Sequence, residues 1–395
     1  MPSTRRRFPR RGLAPALLLA ALLAGCTGLR PGGPLLPPDL AKRPDGATAT
    51  GWPPELDAGE AKTRIARLIN PSVKDRSGWA ADLQAAFANL DVVHATETYC
   101  AVIAVTAQES GFDADPVVPG LGNIVRRELD RRADKYGIPR LLVAAALKKG
   151  SPDGRSYEKR IDTLRTEKQL SALFEDMSSE LPFGRKLLAG FNPVHTAGPM
   201  QVSVKFAEQH VRERDYPWPI ERELRDEVFT RRGGLYFGSA MLLGYPAPYD
   251  DAVFRFADYN AGRYASRNAA FQAALARWSG RPVDLDGDLL RYRDGEPAET
   301  PGQVETLLRS ASVALDMSAA EIRRDLLLEK TAEFGETRLY ERLFALADSR
   351  AGEALPRQRL PEIKLNSPKF QRKLTTGWFA RRVADRYKAC LERGG

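Results

Sequence analysis

The chain is poor in the residues that most often carry metal and redox chemistry. Among 395 residues there are three cysteines, Cys26, Cys100 and Cys390, and three histidines, His94, His195 and His210. The histidines show no His-x-x-x-His spacing, so no metal site is expected. A glycine-rich loop that would cradle a phosphate is also missing, and no cofactor is expected. No strong strand run and no internal repeat appears, which argues against all-β and solenoid architectures. The apolar run over residues 13–25 falls short of the roughly 20 residues that span a bilayer. Acidic residues are absent from residues 1–25, which hold Arg5, Arg6, Arg7, Arg10 and Arg11. Without that segment the formal net charge falls from +9 to +4. Such a mild excess argues against a dedicated nucleic-acid binder and suits a carboxylate-bearing polymer or an anionic surface.

What is present begins with a processing signal. An Arg-rich start, an apolar h-region and the segment Leu23-Ala24-Gly25-Cys26 resemble a bacterial lipoprotein signal peptide over residues 1–25, with cleavage before Cys26 and lipid (palmitate among it) added to that thiol. The alternative is an ordinary secretory signal with an incidental cysteine. Thr27 rather than Asp follows Cys26. By resemblance to enterobacterial sorting, that favours the outer membrane, facing the periplasm, over the inner one. Thr4-Arg5-Arg6-Arg7-Phe8 partly resembles a twin-arginine export signal, with Pro9 departing from the pattern; an Arg-rich n-region is the plainer reading. Residues 26–55, rich in proline and glycine, read as a lipid-anchored tether that reaches on the order of 30 Å as a flexible coil. In an oxidising compartment Cys100 and Cys390 are expected to pair, stapling the last helix to the helix that carries Cys100; two free buried thiols are the alternative.

From Ala61 onward the apolar spacing is helical, and the chain is expected to be mainly α. Thr96 is placed to cap a helix over 97–110 that is apolar on most faces, and therefore central. A charged helical block over 121–190 is predicted as helices near 121–136, 139–149, 155–178 and 181–190. Further helices are predicted at 202–213, 221–243, 248–258, 262–279, 302–315, 318–330, 336–349 and 376–392. The segment Val283-Asp284-Leu285-Asp286-Gly287-Asp288 fits a calcium loop poorly, because Leu289 and Gly295 stand where an EF-hand needs Gly and Glu; an Asp-Gly turn is the better reading.

Three short motifs carry the chemistry. The first is Gln108-Glu109-Ser110-Gly111-Phe112, the second Ala197-Gly198-Pro199-Met200-Gln201, the third Ala257-Asp258-Tyr259-Asn260-Ala261-Gly262. Glu109 ends an apolar helix, where lost water contacts and the negative end of the helix dipole both favour the protonated acid that glycosidic cleavage needs. Ser110 is placed to fix its rotamer. The second motif is a turn with an amide, and the third can orient a carboxyl through Tyr259 and read an N-acetyl group through Asn260. Each motif alone also reads as ordinary structure: a solvated Glu, a Met200 in the core, a buried Tyr259.

In this order the motifs resemble those of soluble lytic transglycosylases and goose-type lysozymes, over about residues 96–279. The tether and the tail fit a poorly characterised lipoprotein branch. The resemblance implies a lysozyme-like helical domain over 56–300, with 121–190 as an insertion and 301–395 as a helical extension packed on it. It implies cleavage of the MurNAc-β-1,4-GlcNAc bond of peptidoglycan glycan strands, with Glu109 as single acid/base and a 1,6-anhydro product. Ser110, Met200, Gln201, Tyr259 and Asn260 become substrate-side residues, with Tyr259 positioning Glu109. Three departures stand out. Pro199 replaces the usual Leu, Asp258 stands where the pattern has Ala, and 88 residues separate Glu109 from Gly198. Asp258 is either a second carboxylate, which would allow a hydrolytic muramidase, or a helix-end charge. A long insertion could instead have closed the cleft. The rival reading is a non-catalytic peptidoglycan-binding or scaffolding lipoprotein that holds cell-wall protein partners through 121–190 or the tail.

Overall fold

Several helices begin where the sequence offers a capping side chain. In the computed structural model, which describes residues 57–90, 92–180, 194–293, 295–365 and 374–394, Asp57 accepts from the backbone N–H groups of Gly59 and Glu60 at the head of α1 (Ala58–Leu68). Asp75 does the same for α2 (Arg76–Ala88) through Gly78. A side-chain cap of this kind is worth about 1 kcal/mol. The helix of the first motif, α3 (Thr96–Glu109), starts one residue earlier than predicted. Thr98, not Thr96, closes its start: its hydroxyl accepts from the Ala95 N–H and donates to the Val93 carbonyl.

The charged block follows as α4 (Leu121–Lys135), α5 (Arg140–Leu147), α6 (Tyr157–Asp162) and α7 (Glu167–Glu180). The single helix expected over 155–178 is therefore two. Thr163 turns its hydroxyl back onto the Lys159 carbonyl, and the freed Arg165 carbonyl accepts from the Val118 N–H at 2.7 Å. That bond ties the block to the chain leaving the first motif. The helix expected at 181–190 lies outside the described residues, as do the signal segment, Cys26 and the tether.

Next come a hairpin of β1 (Thr196–Ala197) and β2 (Val202–Ser203), then α8 (Val204–Glu213), α9 (Leu224–Val228), α10 (Arg231–Leu243), α11 (Ala252–Ala261) and α12 (Ala265–Ser279). The helix expected over 221–243 breaks because Thr230 caps a fresh start, its hydroxyl accepting from the Gly233 N–H. The tail supplies α13 (Gln303–Ser310), α14 (Ser312–Leu315), α15 (Ala319–Leu326), a 3-10 turn (Ala332–Glu336), α16 (Arg338–Ala351) and α17 (Thr376–Gly394). The described chain is mainly helical, with strands only as two-residue antiparallel pairs.

Two apolar cores result. The first runs from Ala61 to Tyr259 and is completed by Phe379, Ala380, Val383, Tyr387 and Cys390 of α17. The second gathers Phe271 and Leu275 of α12 with Leu308, Leu315, Ile322, Phe334 and Phe344. The boundary expected at 300 thus falls inside the second core, and the last helix returns to the first. The Cys100–Cys390 disulfide is present and joins α3 to α17. No helix among the described residues is long and apolar enough to cross a membrane.

Candidate functional site

The first motif ends α3 and reverses. Residues 98–106 of this helix are buried, and exposure rises to half-buried at Gln108, Glu109 and Ser110. Gly111 and Phe112 then both adopt left-handed backbone, which folds Phe112 onto Trp79 of α2 in an edge-to-face contact at 5.1 Å. Ser110 bonds the Thr106 carbonyl and accepts from the Asp113 N–H. Those bonds shape the turn that follows Glu109.

The second motif is the turn of the small hairpin. Ala197 pairs with Val202, leaving Gly198, Pro199, Met200 and Gln201 as the loop. Its seat is a strip of α10 stripped of side chains. A Cβ on Gly234 would meet Pro199 at 2.3 Å, and one on Gly238 would meet the Met200 sulfur at 2.2 Å. Met200 is consequently fully buried, and its side chain touches no cleft. The substrate role expected for that side chain is corrected: packing against Gly238 claims it. Gln201 is half-buried, with left-handed backbone. Its amide donates to the Gly198 carbonyl and accepts from Thr196, so the loop braces the side chain.

The third motif is the last turn of α11. Tyr259 is buried, and its hydroxyl donates to the Met200 carbonyl at 2.7 Å. Burial pushes the phenol well above its ordinary range, and the negative charge of Glu109 nearby pushes the same way. The phenol therefore stays neutral and donating at any physiological pH. Asn260 is exposed, and its side-chain oxygen accepts from Thr376 of α17. Asp258 faces the other way. It is buried and accepts from the hydroxyls of Tyr245 and Tyr249 and from the N–H groups of Tyr264 and Ser266. It anchors the start of α12. Of the two readings of Asp258, the helix-terminus role fits, and no open side remains for a cleft water.

Glu109, the Met200 carbonyl, Tyr259 and Asn260 thus come together from three segments separated in the chain. Sequence reasoning missed two further neighbours. Thr376 holds Asn260, and Arg386 donates to the Gln108 side chain at 3.1 Å. Both lie on α17, and the only hint of them was the expected Cys100–Cys390 pair. Elsewhere, His195 is exposed, whereas His210 is packed against Tyr236 and Phe237, where burial lowers it to about 4. No cluster of metal-ligating side chains occurs among the described residues. The Asp286 loop is clasped instead by Gln272, which donates to the Asp286 carboxylate and accepts from the Gly287 N–H.

The chain belongs to a family described as proteins of unknown function, DUF1615, whose profile matches residues 72–393. It is 48% identical over 344 residues to "Uncharacterized protein YaiW" of Escherichia coli (strain K12), covering 86% of this chain and 93% of that protein. No solved structure matches it. The family match begins within the first core and runs through α17, so it includes all three motifs and both cysteines of the disulfide.

Proposed function

We propose that this DUF1615 protein is a peptidoglycan lytic transglycosylase with a lysozyme-like helical domain, anchored by lipid on Cys26 to the outer membrane and facing the periplasm. The observation that carries the reading is the convergence of the three motifs. Glu109, half-buried at the end of an apolar helix, lies within electrostatic reach of Tyr259, and Tyr259 is fixed by the Met200 carbonyl. Chance motifs scattered over 154 residues from Glu109 to Gly262 have no reason to meet.

In this reading Glu109 protonates the glycosidic oxygen as the bond to C1 breaks, while the acetamido oxygen of the same sugar covers C1 from the opposite face. The 6-hydroxyl then attacks C1, and the Glu109 carboxylate takes its proton. The acid is restored and no water is consumed, leaving a 1,6-anhydro end. A neutral, donating Tyr259 holds the Met200 loop, and the exposed Asn260 would offer its amide nitrogen to an N-acetyl carbonyl. A retaining or inverting hydrolase needs a second carboxylate. Asp258 is taken up by four donors, which favours the one-acid route over the muramidase. The second reading, a scaffold that binds glycan without cutting it, draws support from the size of the 121–180 block.

Digestion of purified sacculi with residues 27–395 separates these readings. Soluble muropeptides with anhydro ends support the transglycosylase, and reducing ends point to a muramidase. Binding without release points to the scaffold.

A further inference from the structure

Helix α5 turns its apolar residues outward. It carries seven apolar residues in succession after Arg140, yet only Leu147 is buried and Val143 half-buried. Leu141 is 80% exposed and Leu142 60%, and the turn before them adds Tyr136 at 59% and Ile138 at 45%. Scattered exposed apolar residues need no explanation, but a contiguous patch marks a surface that meets something.

The charge around the patch narrows what it meets. Lys135, Arg140, Lys148 and Lys149 flank it. Across residues 126–149 there are eight basic and three acidic side chains, a net +5. Everything after residue 25 sums to +4, so this segment is a local excess of positive charge on a mildly basic mature chain. Of the three acids, Glu128 is paired with Arg131 and Arg132, and Asp134 with Arg140. A helix that fills a protein groove shows one apolar stripe at i, i+3 and i+4. Here Leu141, Leu142, Ala144, Ala145 and Ala146 are all exposed, on more than one face of the helix. That pattern suits immersion in a fluid apolar layer beneath anionic headgroups, with Tyr136 at the boundary and the lysine stems reaching up to phosphates.

We propose that the corner formed by residues 135–149 docks on the surface of an anionic phospholipid bilayer, inserting Leu141 and Leu142 among the acyl chains. The inference is independent of the glycan-cleaving reading.

The test uses unlipidated protein spanning residues 27–395, which contains every contact described above. It is sedimented with vesicles of phosphatidylglycerol and phosphatidylethanolamine, and with vesicles of phosphatidylcholine alone. The expected result is binding to the anionic vesicles that weakens in high salt. Binding should fall roughly tenfold or more in Leu141→Ser/Leu142→Ser, since burying one leucine alone is worth about that factor. Lys148→Glu should weaken it while leaving the melting temperature unchanged, since Lys149, unlike Lys148, is held by the Glu180 carbonyl at 3.0 Å. Absence of vesicle binding, binding indifferent to headgroup charge, or binding unaltered in the double serine variant would each overturn the proposal. So would a wild-type dimer that the double serine variant converts to monomer, because a second copy would then be the occupant.

Discussion

At Gly198 two demands coincide that other residue types fail. Its φ is +72°, and a Cβ there would lie 2.0 Å from the Val228 carbonyl oxygen. Gly198→Ala should cost about 2–4 kcal/mol, from left-handed backbone and from overpacking against main chain that cannot step aside. Urea denaturation reads this directly; an unchanged midpoint would mean that the hairpin does not sit on α10 as described. Glu329 is fully buried and accepts from the Leu289 and Leu290 N–H groups and the Tyr292 hydroxyl. Burial outweighs these donors and raises its carboxyl from 4.5 to about 7. A raised carboxyl favours the folded state while protonated. Its stabilisation is therefore whole below about pH 4.5 and is lost as pH climbs to about 7, a fall on the order of 3 kcal/mol. Glu329→Gln should flatten that part of the stability profile between pH 5 and 7.5; an equal slope in the variant would show that another group drives it. Of these residue-level facts the sequence showed little. Met200 was legible as either core or cleft, and what decided it was the pair Gly234 and Gly238. Two glycines at i and i+4 inside a helix are costly unless something fills their side, and that was the available signal.

Helix α17 is the element that completes the site. It packs beside α3 and α11, bonds Gln108 and Asn260 through Arg386 and Thr376, and is closed by the Cys100–Cys390 disulfide. The bond shuts a loop of 291 residues, worth about 6 kcal/mol on the chain-entropy account. Cys390→Ser should lower stability by up to that amount. Mass spectrometry of the non-reduced wild type after alkylation should find Cys100 and Cys390 unmodified; two alkylated thiols would remove the staple. Most helices were readable from apolar content and spacing, including α2 and α16, which turn one face to a core, and α3 and α12, which are buried on several faces. Their breaks were not. Thr163 and Thr230 end one helix or begin another through hydroxyl bonds to main chain, and threonine looks the same in mid-helix until its partner is known. The role of α17 was only half visible. Two cysteines in a chain bound for an oxidising compartment suggested the staple, but contacts between residues 278 positions apart, such as Arg386 with Gln108, leave no trace in a single sequence.

At the scale of the whole molecule, the chain wraps a second core, residues 270–347, between α11 and α17 of the first. The order of motifs was legible because three turn-forming segments with a Glu, a Gln and a Tyr-Asn pair stand in one sequence order. Their meeting in space depended on the hairpin, on α10 and on α17. The account makes one demand of the intact protein: a single carboxyl does the cutting. We would compare residues 27–395 with the Glu109→Gln variant on purified sacculi, following soluble muropeptides by mass spectrometry and helicity by circular dichroism. The predicted result is anhydro-ended products from the wild type and a loss of at least about a hundredfold in a variant that stays folded, as expected for removing a general acid. Release by the folded variant at the wild-type rate, or none by the wild type, would contradict the assignment of Glu109.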